Sequence, residues 1–166
     1  MNNKTSSDKG TDGASDLSDA NGVREALNLL VGYHLRRASV YDLNGAVAAL
    51  ELAGARPITL SVLLCIVESP GRTSADICRN LGIKRANIVA LLQSLEAKGL
   101  FLRSNDPTDQ RIQRLYPTKQ GVQTAQEWLE LIRTHEERTL KRLSQAERAE
   151  LRRLLQMIWE DDTSQD

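Results

Sequence analysis

Apolar positions fall into a helical rhythm at Val23 and keep it to about Ala53, through Leu27, Leu30/Val31, Leu35, Ala38, Tyr41, Ala46 and Leu50, with no proline between. That spacing predicts one long helix, loosened if anywhere near Gly45. Pro57 breaks the pattern, and Thr59 is placed to cap a short helix, LSVLLCIVE, that is apolar on nearly every side. A helix without a polar face has to be internal. SPGRTS reads as a turn. Thr73 or Ser74 can cap ADICRNL, Gly82 permits a reversal, and KRANIVALLQSLEAK runs to Gly99, a natural residue for a left-handed helix end. LFLRS and IQRLY are strand-like runs on either side of NDPTDQR, whose Asp-Pro and Asp residues suit a bend. After Gly121 the helical spacing returns twice, first to about Leu143. The last helix opens on a Ser144–Glu147 capping box and carries Leu151, Leu154/Leu155, Ile158 and Trp159 on one face. Residues 1–22, rich in Ser, Asp, Gly and Asn, bury too little apolar surface to offset ordering and are expected to form a disordered tail.

Two consecutive short helices with Cys78 and Gly82 at their crossing and Ile77, Leu81, Ile83, Ile88 and Leu91 between them fit a helix-turn-helix. Those apolar residues leave Lys84, Arg85, Ala86, Asn87, Ala90 and Ser94 on the outer face of the second helix. Small and hydrogen-bonding side chains beside cations suit a helix in a major groove, although an ordinary helical hairpin explains the spacing too. The following hairpin carries Arg111 near its tip and Arg103 and Arg114 along its strands. A cationic ribbon tip is a poor core element and a good phosphate or minor-groove probe; the competing view is a solvated loop with a local Asp109–Arg111 pair. Together these pieces predict a mainly α fold with a small β-hairpin wing, a winged helix-turn-helix. Charge supports a polyanion partner only locally. The chain balances 22 Lys+Arg against 22 Asp+Glu, yet residues 72–121 hold nine basic residues and four acids.

LGIKRANIVALLQSLEAKGLFLRSNDPTDQRIQRLYPTKQG resembles the MarR family of bacterial transcription regulators. The motifs that carry the resemblance are Leu95-Glu96-Ala97-Lys98-Gly99-Leu100, Asp109-Gln110-Arg111 and Pro117-Thr118-Lys119-Gln120-Gly121. Gln110 departs from an arginine common in the family, and Pro117 from its usual leucine. The resemblance implies a homodimer on a near-palindromic double-stranded operator. Its elements are a dimerisation helix at 23–56, a winged helix-turn-helix domain at 57–121 and C-terminal dimerisation helices at 122–162, after the tail at 1–22. Read from the residues alone, the terminal helices form an intramolecular bundle equally well. In the DNA-bound arrangement Asn87 reads a base, Ala86 and Ala90 face thymine methyls, and Thr73, Ser74 and the helix start there hold phosphate. Arg72, Lys84, Arg85 and Arg103 neutralise phosphates, Arg111 enters the minor groove, and Asp109 holds Arg111 or simply forms the turn.

Family members respond to small aromatic acids, which directs attention to Tyr33, His34, Arg36, Arg37 and Tyr41 on the first helix and to Arg56. An arginine beside tyrosines can hold a carboxylate next to a ring, and it serves equally as an ion-pair partner for acids of the last helices. The GYHLRRA segment is similar to that of regulators of aromatic-acid or aromatic-thioester breakdown. Cys65 and Cys78 lack CxxC spacing and are expected in the core of a cytoplasmic protein, and His34 and His135 form no metal-ligand spacing. No apolar run reaches membrane-spanning length. Neither a nucleophile elbow, a P-loop nor a dinucleotide fingerprint is present, so no enzyme, cofactor or metal is expected. The reading is a repressor released from DNA by a small aromatic acid or thioester. The alternative is a winged-helix docking module for another protein.

Overall fold

The computed structural model describes residues 20–160, so most of the expected tail, 1–19, and the last six residues lie outside the described residues. Residues 20–22 already belong to a helix. The single long helix is in fact two, α1 (Ala20–Asn28) and α2 (Val31–Glu51). The break falls at Leu29–Leu30 and not at Gly45. Its backbone tightens there, with Leu29 N donating to Ala26 O at 3.3 Å and Leu30 N to Leu27 O at 3.1 Å. His34 Nε2 donates to Asn28 O at 2.9 Å, taking a carbonyl that an unbroken helix would satisfy from its own backbone. Periodicity is blind to such a side-chain substitute. The chain divides into two compact units, one ending at Tyr41 and the other starting at Asp42.

Among the described residues the buried core lies in the second unit. Gly45 is a close-approach point: a Cβ there would overlap the His135 imidazole on α6 (Lys119–Thr139). His135 is itself buried, with Nε2 3.1 Å from the Asp42 carboxylate. α3 (Pro57–Glu68) starts two residues before Thr59, because proline's fixed φ suits the first helical position and Arg56 supplies the extended N-cap. Thr59 is consequently buried within the helix instead of capping it. Half of the twelve residues of α3 are buried, as an internal helix requires. Around it pack Leu50, Ile77, Leu92, Leu95, Phe101 and Leu115. Cys65 and Cys78 sit in this core as free thiols, and Asn80 Nδ2 donates to Cys65 Sγ at 3.4 Å.

α4 (Ser74–Leu81) ends on Gly82 at φ +62°, and α5 (Arg85–Ala97) leads through Gly99 at φ +67° into the hairpin. β1 (Phe101–Asn105) and β2 (Gln113–Pro117) pair antiparallel, from Phe101 opposite Pro117 to Asn105 opposite Gln113. Pro117 closes β2, so its missing amide falls where pairing stops. The α3–α4 loop joins the hairpin: Gly71 N donates to Leu115 O at 2.7 Å and Leu115 N to Arg72 O at 3.0 Å. α6 begins at Lys119, before Gly121, because Thr118 caps it by accepting from Gly121 N at 2.9 Å. Its end, Thr139, comes before the expected Leu143. α7 (Gln145–Trp159) opens on the predicted capping box, and none of its residues is buried. Lys98, just past α5, donates to Gly54 O at 2.7 Å and stands 5.4 Å from the Trp128 ring, tying the end of α5 to the α2–α3 turn and to α6. Among the described residues, no helix is long and apolar enough to cross a membrane.

Candidate nucleic-acid interface

The packing of α5 decides which of its side chains are available. Ile88, Leu92 and Leu95 are buried, which turns Ala86, Asn87 and Ala90 outward, all exposed. Lys84 is the N-cap and Arg85 the first helical residue, so the cations and the Asn87 amide gather at the start of the helix, where its dipole is positive. Val89, 54% exposed, and Gln93 share this surface. Sequence reasoning missed both, since a β-branched apolar residue between Ile88 and Leu91 reads as core. The available signal was their spacing of three and seven from Ala86.

Of the cations expected at DNA, Lys84, Arg85 and Arg111 have no acidic partner among the described residues; Arg72 stands near enough to Asp76 to help lower its carboxyl, and Arg103 is paired outright. Its Nε lies 2.9 and 3.1 Å from the two Glu96 carboxylate oxygens, and Nη1 is 3.2 Å from Gln113 Oε1. The position of Glu96 next to the last residue of α5 brings it within reach of Arg103 on β1, a tertiary contact that charge counting cannot foresee. Arg103 is therefore held on the protein surface in the absence of DNA.

The start of α4 is also differently used. Thr73 is the N-cap, as expected, and forms a full capping box: its hydroxyl accepts from Asp76 N at 3.2 Å while Asp76 Oδ2 accepts from Thr73 N at 2.9 Å. Those bonds, the Thr73 amide foremost, hold the Asp76 carboxyl below its ordinary value, and Arg79 adds an ion pair. The Thr73 amide is thus already taken. What remains for a phosphate is Ser74, whose side chain bonds nothing among the described residues.

At the wing tip Asp109 does not pair with the Arg111 guanidinium. Its Oδ1 accepts from the Arg111 backbone N at 3.0 Å, so it is the turn former of the two readings. The organising residue is Asp106, which the sequence reading took, with Pro107, only for a bend former. It is only 3% exposed and accepts from Thr108 N at 2.8 Å, from the Thr108 hydroxyl, from Asp109 N at 3.1 Å and from Arg114 Nε. The Thr108 bonds, with Arg114 behind them, hold its carboxyl far below the usual carboxylate range. Arg114 Nη1 continues to Gly71 O at 2.9 Å, so this wing cation is a brace to the α3–α4 loop.

The residues expected to bind a ligand are distributed over both units. In the first, Tyr33 and His34 make an edge-on ring contact at 5.4 Å, and the Arg37 guanidinium stands 5.9 Å from the Tyr33 centroid. Tyr41 is 70% exposed. Arg56, in the second unit, is the exposed N-cap of α3. A cavity of about 690 Å³ within the second unit includes none of them; Lys98, Leu100, Trp128 and Leu131 line it. Its walls come from three separate segments, so no local motif announces it.

A basic helix face beside a braced, arginine-tipped wing defines the class: a winged helix-turn-helix transcription regulator. Residues 53–112 match the model of the MarR family. Among solved structures, the chain is 34% identical to the transcriptional repressor CouR bound to a 23-mer DNA duplex, covering 80% of this chain and 94% of that one with a TM-score of 0.75. It is 26% identical to CouR from Rhodococcus jostii RHA1 bound to p-coumaroyl-CoA, over 81% and 94% of the two chains, with a TM-score of 0.72. A protein of Thauera aromatica described as a transcriptional regulatory protein for the hcr operon is 29% identical over 134 residues, 80% of this chain and 81% of its own. The chain belongs to the MarR family of transcriptional regulators.

Proposed function

We propose that the protein is a homodimeric repressor that holds a near-palindromic operator through α5 and the wing, and that an aromatic acyl thioester releases it. The observation that carries the DNA contact is the unpartnered set Lys84, Arg85, Asn87 and Arg111, exposed on two elements whose backbones are fixed by the fold. Asn87 is suited to adenine and Ala86, Val89 and Ala90 to thymine methyls, while Arg72, Ser74 and the cations take phosphates. Dimerisation is supported by α7, which buries nothing while exposing Leu154, Met157, Ile158 and Trp159. In a dimer two copies of α5 stand one duplex turn apart, roughly 34 Å.

The thioester class rests on the CouR complex with p-coumaroyl-CoA. Two places suit such a molecule: the Tyr33, His34, Arg37 and Tyr41 cluster of the first unit, where cations and rings are exposed, and the cavity at Trp128 in the second, whose volume falls in the range of small-ligand sites. Anisotropy with DNA from upstream of the gene, against scrambled DNA over a salt series, tests the operator reading: selective binding that weakens steeply with salt is expected. Added p-coumaroyl-CoA then releases the DNA, and Arg37→Ala or Leu131→Trp blunts that release according to which place is used. Equal binding to both DNAs at every salt sinks the operator reading.

A further inference from the structure

The wing tip is built around one carboxylate. Asp106 N donates to Ile112 O and Ile112 N to Asp109 O, both at 2.9 Å, which closes residues 106–112 into a loop. Inside it, the nearly inaccessible Asp106 carboxylate takes the Thr108 and Asp109 amides, and Asp109 in turn takes the Arg111 amide. On its other oxygen Asp106 holds Arg114, which anchors the loop to Gly71. Arg111 itself is exposed and has no ion-pair partner among the described residues, so only its backbone is constrained.

We propose that Asp106 is the positioning residue of the DNA-binding wing: through Asp109 it sets the backbone from which Arg111 reaches the duplex, before any DNA is present. This rests on the reading of Arg111 as a DNA contact. Asp106 cannot touch DNA, being buried and of the wrong charge. Its effect is to remove from the binding step the entropy of freezing a loop of seven residues, which a slack wing would lose on docking. Arg114 then counts as part of the scaffold and not among the phosphate-neutralising cations.

The test is a mutant cycle read by operator affinity over a salt series, with wild type, Arg111→Ala, Asp106→Ala and the double variant. Arg111→Ala is expected to weaken binding roughly tenfold and to lower the salt slope by about 2, one for each wing of the dimer. Asp106→Ala should weaken binding to a similar extent with the salt slope nearly unchanged, since no cation is removed, and the double variant should be no weaker than Arg111→Ala alone, because one acts through the other. Asp106→Asn keeps the shape and an acceptor oxygen for the two amides but offers Arg114 no charge; it is expected to fall between. This variant carries the test if Asp106→Ala does not fold. Multiplicative losses in the double variant, or full affinity in both Asp106 variants while Arg111→Ala is weakened, overturn the proposal. Arg111→Ala at full affinity removes the wing contact and this inference with it.

Discussion

Replacing Gly121 with alanine should separate the wing from α6. The added methyl would overlap the backbone carbonyl of Leu100, which already accepts from Thr118 N at 3.1 Å. A carbonyl in that bond has no rotamer to move into, so either β1 or the first turn of α6 must shift. Overpacking of this kind costs about 1–3 kcal/mol, and losing the Thr118–Leu100 bond adds about 1 kcal/mol. Alanine's better helix propensity returns about 1 kcal/mol. The net destabilisation is about 1–3 kcal/mol, which for a chain of this length lowers Tm by roughly 2–12 °C. Gly32→Ala is the control: nothing lies within 4 Å of its added Cβ, so it should be neutral or slightly stabilising. Urea and thermal unfolding at one fixed protomer concentration measure both, since assembly would otherwise shift the apparent stability. A Gly121→Ala protein within about 0.5 kcal/mol of wild type, a value ordinary for surface changes, would refute the close-contact reasoning.

The Glu96–Arg103 pair gives a result of opposite sign. Glu96→Gln frees Arg103 and removes a negative charge near the duplex, so operator affinity should rise about twofold at low salt, an effect that fades as salt screens it; unchanged or weaker binding in the anisotropy assay counts against the pair. Gly45→Ala should destabilise through the His135 ring, and His135→Ala on that background should recover part of the loss by removing the obstructing atoms, as urea midpoints of the two variants will report. Asp76, Asp106 and Glu147 all have folded-state pKa values lowered by cap and turn hydrogen bonds. Their contribution to stability is therefore present above the unfolded values near about 4 and is lost as pH falls from there. Urea midpoints should decline below about pH 4, and less so for Asp106→Asn; an equal decline in that variant would discount Asp106.

Elements whose reasons are local were legible in the chain. The Thr73 and Ser144 caps, the left-handed Gly82 and Gly99 and the internal α3 each follow from residues within a turn of one another. Side-chain substitutes for the expected pairings were not legible. His34 replaces a helical amide at Asn28, Glu96 claims Arg103 from another element, and the Thr118 cap, although as local as the other two caps, was overlooked beside Gly121. The exposed residues of α5 could be read because burial of Ile88, Leu92 and Leu95 leaves only one outward face. Val89 escaped for the same reason in reverse, being apolar on that face. Asp106 was hidden because a buried acid in a polar loop has no compositional signature; only the convergence of Thr108, Asp109 and Arg114 on it reveals its role.

The capping box at Thr73 also bears on what the protein ignores. A helix start is where a stray phosphate or sulfate ordinarily settles, drawn by free amides and a positive dipole. On α4 that seat carries the protein's own Asp76 carboxylate. Free phosphate and mononucleotides, abundant in any cell, meet a negative charge beside the few groups that remain there. Attraction is then shared between Ser74 and dispersed cations at Arg72, on α5 and on the wing, each weak alone, that in this reading act together only when a polymer presents charges at the right intervals. Selectivity for duplex over soluble anions then comes from the number of simultaneous contacts, and it costs the protein no dedicated filter.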